Sequence, residues 1–227
     1  MRNLPIITKS LLIANVALWL LTLVFKKFGI ELVGILGLFN YSSPYFHWWQ
    51  PLTYMFMHSG FSHLFFNMFA VLMFGPVLER EWGEKKFIFY YLVCGLGAAL
   101  VQQLVWSMLS TDLAVTIGAS GAVFGILLAF GWLFPDVPMF IIFVPIPIRA
   151  RIFVIIYAVI ELFAGIANFS GDNVAHFAHL GGMLFGLVLL LWWKYGPKWD
   201  LSRLFKRKGV ENDKDKDYSD YHYHRSL

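Results

Sequence analysis

Residues 118–134 read GASGAVFGILLAFGWLF, an apolar run headed by a single serine among glycine and alanine. Two interpretations of this stretch compete. In the first, Gly121 and Gly125 form a GxxxG pair that lets two membrane helices pack closely. In the second, Ser120 is a nucleophile, and the glycines leave room for the backbone of a substrate. The surrounding sequence bears on which interpretation applies.

The composition is that of an integral membrane protein. Of the 227 residues, 59% are hydrophobic and 14% charged, and the mean hydropathy is +0.64. Soluble domains carry about 25% charged residues. The single cysteine, Cys94, lies inside an apolar run, so we predict no internal disulfide and a buried, small hydrophobic role for it.

Six apolar runs are close to the roughly 20 residues that cross about 30 Å of hydrocarbon. We therefore predict an all-α polytopic membrane protein with six transmembrane helices, at 10–25, 61–78, 86–109, 119–134, 152–168 and 174–193. The fourth run is short, so the loop before it must dip inward or the bilayer must thin. This places Ser120 below the non-cytoplasmic surface, at the floor of a wet pocket.

Basic residues alternate between the loops and predict the orientation. Most lie before the first run, between the second and third, between the fourth and fifth, and after the sixth, whereas 110–118 and 169–173 contain no Lys or Arg. Because basic residues collect on the cytoplasmic side, we expect both termini in the cytoplasm of a cell-membrane protein. Lys26 and Lys27 are exceptions to this pattern.

Three further segments have distinct compositions. The aromatic segment 26–60 predicts a non-cytoplasmic structure lying partly in the membrane surface, or an ordinary aromatic belt. The proline-rich segment 134–151 predicts an interfacial hairpin or short strand. We expect a membrane domain over 1–194 and a cytoplasmic tail over 195–227, first basic and then polar and disordered.

Polar residues at membrane depth are costly and need a partner or a function. His63 and Asn67 share one face of the second run, Ser120 opens the fourth, and His179 begins the sixth. Each alone fits a hydrogen bond between helices better than it fits catalysis, and only the set favours catalysis. Glu161 in the fifth run favours polar packing or a lipid-interface position, since nothing in its spacing links it to Ser120.

Together these residues have the components of acyl-transfer chemistry. A serine hydroxyl attacks a carbonyl once an imidazole accepts its proton. Gly182 and Gly186, which follow His179 at helical spacing, would let the sixth helix approach the fourth and bring His179 to Ser120. Backbone N–H groups in the first turn after Ser120 are donors for a developing oxyanion.

The motifs resemble those of the rhomboid intramembrane serine proteases. GASGAVFG at 118–125 is similar to the family's GxSG, HLFFN at 63–67 to its HxxxN, and HLGGMLFG at 179–186 to its HxxGxxxG. GPVLEREWG at 75–83 is similar to a family pattern of glycine, glutamate and glycine. The three motifs occur in the family's order across 10–194, whereas GxSG alone would be weak.

The resemblance implies a serine endopeptidase in which Ser120 is the nucleophile and His179 the base, a dyad without a carboxylate. It implies that His63 and Asn67 stabilise the oxyanion, that substrates are single-pass membrane proteins in the lipid bilayer, and that no metal, cofactor or nucleic acid takes part.

The resemblance also indicates roles for the remaining histidines, and this sequence departs from the family's pattern at two positions. His176 lacks glycine at the positions three and seven residues on, so the role goes to His179, while His58 fits a structural role. Phe124 stands where many relatives have a tyrosine against the catalytic imidazole, and Gln50 stands where they often have arginine, in a loop-anchoring position.

Three rival functions remain. One is a catalytically weak or inactive relative that binds membrane clients, although such proteins typically lack the serine or the histidine. Another is a channel or transporter with His63, Asn67, Glu161 and His179 along a polar path. The third is packing of helices alone.

Overall fold

The structure is a computed structural model that describes residues 4–109, 114–141, 144–167 and 175–196. The chain divides into two compact units, Met1–Tyr195 and Gly196–Leu227. The predicted tail, from residue 197 onward, lies outside the described residues.

Helices dominate the first unit. Their bounds are α1 Ile6–Lys27, α2 Leu32–Leu36, α3 Gln50–Thr53, α4 Phe61–Trp82, α5 Glu84–Leu109, α6 Ser120–Leu133, α7 Ala150–Ala167 and α8 His176–Tyr195, with a 3-10 turn at Tyr54–Phe56. The six predicted runs coincide with α1, α4, α5, α6, α7 and α8. The all-α expectation is confirmed, and the hairpin described below is a small addition to it.

Five of these helices, α1, α4, α5, α7 and α8, are long and apolar enough to cross a membrane by length and composition. Their outward faces carry large hydrophobic side chains such as Leu20, Phe66 and Ile155, as a hydrocarbon solvent requires. The chain is therefore a multi-pass membrane protein. Helix α6 has 14 residues and extends about 21 Å, so it is shorter than the hydrocarbon layer.

Two short antiparallel pairs of strands connect the helices. Strand β1, Leu38–Phe39, pairs with β2, Val115–Thr116, and therefore joins the segment after α1 to the loop that leads into α6. Strand β3, Pro138–Ile141, pairs with β4, Val144–Arg149. The second pair confirms the hairpin predicted within 134–151.

Gln50 organises the segment between α1 and α4. Its side chain is fully buried, its amide nitrogen donates to the Tyr45 carbonyl at 2.8 Å, and its amide oxygen lies 3.3 Å from the Phe39 backbone nitrogen. A neutral amide both donates and accepts, so one side chain joins two parts of the loop. The departure from arginine at this position therefore leaves a side chain that still anchors the loop.

Glycines bring α8 against α6 and α5. A Cβ atom built on Gly182 would collide with the carbonyl group of Gly121 in α6, which is backbone and cannot move aside. Gly186 instead faces Tyr90 and Cys94 of α5. The expectation that both glycines serve the contact with α6 is therefore wrong for Gly186, because one helical turn along α8 the neighbour has changed.

Glu79 connects the start of α1 to the end of α4. Its carboxylate accepts hydrogen bonds from the backbone N–H groups of Ile7 and Thr8, at 2.8 and 2.7 Å, and from the Thr8 hydroxyl at 2.7 Å. The first N–H groups of a helix lack partners within the helix, and its dipole favours a negative charge there. Glu79 therefore caps α1 from a neighbouring helix.

Candidate active site

Ser120 is the first residue of α6, and the loop before it has an unusual backbone conformation. Gly118 has φ of +129°, which residues with side chains rarely adopt, and its N–H donates to the Tyr54 carbonyl at 2.9 Å. The Tyr54 hydroxyl in turn donates to the Gly95 carbonyl at 2.7 Å. These contacts fix the loop against α5, and so they fix the point at which Ser120 begins its helix.

His179 lies beside Ser120 although 59 residues separate them in sequence. The imidazole Nε2 is 2.7 Å from the Ser120 hydroxyl oxygen, and the histidine is 7% exposed. The close approach at Gly182 sets this distance, since it removes the side chain that would hold α8 away from α6. The Ser120 hydroxyl can donate to Nε2 when the ring carries its hydrogen on Nδ1.

Phe124 covers one face of the same imidazole. Its ring is stacked on that of His179, with 4.4 Å between centroids and 11° between planes. Phe124 lies one turn after Ser120 on α6, so a single helix supplies both the hydroxyl and the stacking ring. Phenylalanine thus retains the ring contact expected at this position without a hydroxyl.

Glu161 of α7 contacts the Nδ1 edge of the His179 ring, away from Ser120. Its Oε2 is 2.8 Å from Nδ1 of His179 and 2.7 Å from Nδ1 of His176, and the residue is 8% exposed. The lipid-interface position predicted for Glu161 is therefore wrong. The resemblance implied a dyad without a carboxylate, whereas the structure places the Glu161 carboxylate next to the His179 imidazole. A carboxylate at membrane depth requires a partner, so the sequence indicates that Glu161 makes such a contact without identifying the residue that it contacts.

The three side chains of Glu161, His176 and His179 also form a group whose ligand atoms all lie within 4.8 Å of one another. Two imidazole nitrogens and a carboxylate oxygen are donors that suit zinc. The separations of 2.7 and 2.8 Å are those of hydrogen bonds in which a ring N–H donates to the carboxylate. The same atoms therefore have a complete explanation as a hydrogen-bonded cluster.

His63 faces Ser120 across Gly118. A Cβ atom built on Gly118 would lie 2.7 Å from Nε2 of His63 and 3.5 Å from the Ser120 oxygen, so both atoms border the same small space. The Ser59 backbone nitrogen is 3.5 Å from Nδ1 of His63. Because a backbone N–H can only donate, this contact favours the tautomer with hydrogen on Nε2, directed toward that space.

Asn67 lies one turn further along α4 than His63 and is 6% exposed. Its amide nitrogen donates to the His63 backbone carbonyl at 2.9 Å. An amide nitrogen carries two hydrogens, so this bond fixes the orientation of the group and leaves a second N–H. His63 and Asn67 therefore share one face of α4, as their spacing of four residues predicts.

His58 supports His63 from the loop before α4. The two rings meet edge to face with 4.9 Å between centroids, and His58 is 2% exposed. Burial, with a smaller contribution from the nearby charge of His63, lowers the pKa of His58 to about 4. His58 is therefore neutral at physiological pH, which agrees with the structural role expected for it.

The sequence matches a family model and several curated proteins. The model described as "Rhomboid domain" matches residues 45–195. "Rhomboid-like protein 11, chloroplastic" of Arabidopsis thaliana is 32% identical over 69% of this chain and 56% of its own length. "Putative rhomboid protease YdcA" of Bacillus subtilis is 29% identical over 63% and 65%, and "Rhomboid protease AarA" of Providencia stuartii is 30% identical over 63% and 54%.

The chain spans between about half and two thirds of the length of these relatives. The matched region runs from the Gln50 loop to the end of α8 and so includes the four residues expected to act in catalysis or oxyanion binding, Ser120, His179, His63 and Asn67. The family model covers more than half of the sequence, and this chain therefore belongs to the rhomboid family.

Proposed function

We propose that this chain is an intramembrane serine endopeptidase that cleaves single-pass membrane proteins through Ser120 and His179. The rhomboid family includes intramembrane proteases that act on membrane proteins. The observation that carries the proposal is the 2.7 Å separation between the Ser120 oxygen and Nε2 of His179. At this distance the imidazole can accept the hydroxyl proton as the oxygen attacks a carbonyl carbon.

The chemistry has two balanced halves. In the first, the Ser120 oxygen bonds to the peptide carbonyl carbon, its proton moves to Nε2 of His179, and the leaving amine takes that proton as the C–N bond breaks. In the second, a water molecule gives a proton to Nε2 and attacks the ester, and Ser120 recovers its proton as it leaves. One imidazole therefore acts as base and then as acid in each half.

The negative oxygen formed in each half requires donors. We assign this role to Nε2–H of His63, the second amide N–H of Asn67 and the backbone N–H groups at the start of α6. His63 supports the assignment through its position across Gly118 from the Ser120 oxygen. Each such donor contributes roughly 100- to 1000-fold in rate.

The membrane setting shapes the substrate. The amides of a transmembrane helix are hydrogen-bonded internally, so the helix must unwind before Ser120 can reach a peptide bond. We expect helix-weakening and small residues at the cleaved bond, because the space beside Ser120 is bordered by Gly118 and is small. The short α6 would cross the membrane together with the five longer helices, which gives six spans in all, and its shortness would admit water to Ser120. The protein would lie in the cell membrane with both termini in the cytoplasm.

Cleavage in proteoliposomes tests this function. Wild-type protein should cut a tagged single-pass substrate into two fragments, and Ser120→Ala should leave it intact while keeping the wild-type unfolding temperature. Fragments that persist in a clean Ser120→Ala preparation would refute the proposal. The rival function, a weak or inactive relative that binds clients, predicts a substrate that is bound by the wild-type protein and remains whole.

A further inference from the structure

We infer that Glu161 is a positioning residue for His179, so that the site is a linked set of three side chains rather than a pair. This inference rests on the proposed function. The carboxylate lies on the Nδ1 side of the imidazole at 2.8 Å, and the Ser120 oxygen lies on the Nε2 side at 2.7 Å. The ring therefore connects an acceptor on one side to the nucleophile on the other.

The carboxylate determines which nitrogen of the ring carries the hydrogen. An ionised carboxylate only accepts, so Nδ1 of His179 must donate to it. The hydrogen is then on Nδ1, and the lone pair of Nε2 is directed at the Ser120 hydroxyl. Only this tautomer can remove the proton from Ser120, and the reverse tautomer would place a hydrogen between the two atoms.

A second histidine holds the carboxylate in place. Nδ1 of His176 is 2.7 Å from the same oxygen of Glu161, and the side chains of His176 and Glu161 are 13% and 10% exposed. A charge buried away from water needs such donors, because hydration no longer stabilises it. His176 and His179 lie three residues apart in the first turn of α8, so both reach one carboxylate on α7.

The backbone of α7 is shaped for this contact. Gly165 lies one turn after Glu161, and a Cβ atom there would approach the ring of Phe177 at 3.1 Å and Cβ of His176 at 3.3 Å. The absence of that atom lets α7 lie close to the start of α8. Glycine costs stability within a helix, so a glycine at this point agrees with a need for close approach.

The proton balance of the reaction is unchanged by this arrangement. The proton of Ser120 moves to Nε2, and the hydrogen on Nδ1 stays between the ring and Oε2 of Glu161. The carboxylate remains ionised and faces the imidazolium that forms, so its charge stabilises the ring when the transition state is reached. Phe124 restrains the same ring from its face.

The test compares Glu161→Gln with the wild-type protein in proteoliposomes. We expect kcat to fall on the order of 100- to 10,000-fold with an unchanged KM, because the amide keeps the volume but loses the charge and can favour the wrong tautomer. Glu161→Asp should recover part of the loss. The rate of fluorophosphonate labelling of Glu161→Gln should fall in parallel with its kcat.

Glu79→Gln is the matched control, since Glu79 is also a buried carboxylate but caps α1. It should lower the unfolding temperature while the folded protein keeps the wild-type kcat. A merely structural role for Glu161 predicts the same behaviour for Glu161→Gln. Wild-type kcat and labelling in a folded Glu161→Gln variant would overturn the inference, even where Ser120→Ala is inactive.

A measurement on the unmutated protein covers the case in which Glu161→Gln does not fold. Nitrogen-15 NMR of labelled histidine, with His179 assigned by comparison with His179→Gln, should show hydrogen on Nδ1 and none on Nε2 at neutral pH. Hydrogen on Nε2 would overturn the inference. A wild-type protein that neither cleaves nor is labelled would instead remove the proposed function, and this inference with it.

Discussion

Gly182 of α8 lies directly against the backbone carbonyl of Gly121 in α6, and this contact sets the separation between His179 and Ser120. Gly121 follows Ser120 directly, and Gly182 lies three residues after His179. The GxxxG interpretation and the nucleophile interpretation of 118–125 therefore do not exclude each other. Close packing of the helices is the means by which the hydroxyl and the imidazole come within 2.7 Å.

Gly182→Ala should therefore inactivate the protein by displacing a helix. The added methyl group meets backbone, which cannot rotate away, so α8 must move and the hydrogen bond to Ser120 must lengthen. We expect at least a 100-fold loss of kcat and a loss of stability of about 1–3 kcal/mol. Activity in proteoliposomes and thermal unfolding measure the two effects.

Gly34→Ala is the control for this substitution, because a Cβ atom at Gly34 meets nothing within 4 Å. It should retain wild-type activity. Wild-type kcat in Gly182→Ala would show that the separation of Ser120 and His179 does not depend on this helix contact.

Gly118→Ala should block the space between His63 and Ser120. The substitution strains a backbone with φ of +129° and places a methyl group 2.7 Å from Nε2 of His63. Backbone strain of this kind costs about 1–3 kcal/mol. We expect cleavage and fluorophosphonate labelling both to fall below a tenth of the wild-type rate.

Gly29→Ala separates strain from crowding. Gly29 has φ of +76°, yet a Cβ atom there meets nothing within 4 Å. It should lower the unfolding temperature and leave the labelling rate unchanged. Equal loss of labelling in both variants would mean that crowding at Gly118 is not the cause.

Phe124→Leu should slow the reaction moderately. An aromatic contact of this geometry contributes about 0.5–1.5 kcal/mol, which corresponds to at most about a tenfold change in rate. Phe124→Tyr keeps the stacked ring and should remain within about threefold of the wild-type kcat, by the same reasoning. If Phe124→Leu were as active as Phe124→Tyr, the ring of Phe124 would not restrain His179.

Burial of His58 predicts a dependence of stability on pH. Its pKa is about 4 in the folded protein against 6.5 for the ordinary side chain, so the unfolded chain binds the proton more readily between these values. The neutral His58 ring therefore makes its full contribution to the free energy of unfolding above pH 6.5, and this contribution is lost as the pH falls toward 4. Each pKa unit corresponds to about 1.4 kcal/mol.

The unfolding temperature in detergent should therefore fall between pH 6.5 and 4, and by less in His58→Gln, which cannot take up a proton at this position. A pH dependence that is identical in the two proteins would show that His58 makes no contribution. The comparison uses the difference between the proteins because other groups also titrate in this range.

Much of this fold could be predicted from local sequence patterns. Apolar runs specify helices wherever the surroundings are hydrocarbon, so the boundaries of α4 and α8 were accessible from hydropathy. The glycine at 182 marked a close contact because a helix tolerates glycine poorly. The prolines of 134–151 marked the hairpin because they cannot continue a helix.

The contacts of Glu161 could not be predicted, for a physical reason. A carboxylate in an apolar run signals that a partner exists, but its identity depends on the rotation and depth of α7 relative to α8. The pairing of Leu38 with Thr116 could not be predicted either, because a strand of two residues is too short to show an alternating pattern. The change of partner at Gly186, from α6 to α5, also depends on helix crossing geometry.

The most direct test of the central claim is mass-spectrometric mapping of a fluorophosphonate on the reconstituted protein. The reagent loses fluoride as a serine oxygen bonds to phosphorus, and the reaction requires a base to accept the hydroxyl proton. We expect modification at Ser120 in the wild-type protein and a large fall in that modification in His179→Ala. No modification of Ser120, or equal modification in both proteins, would contradict the claim.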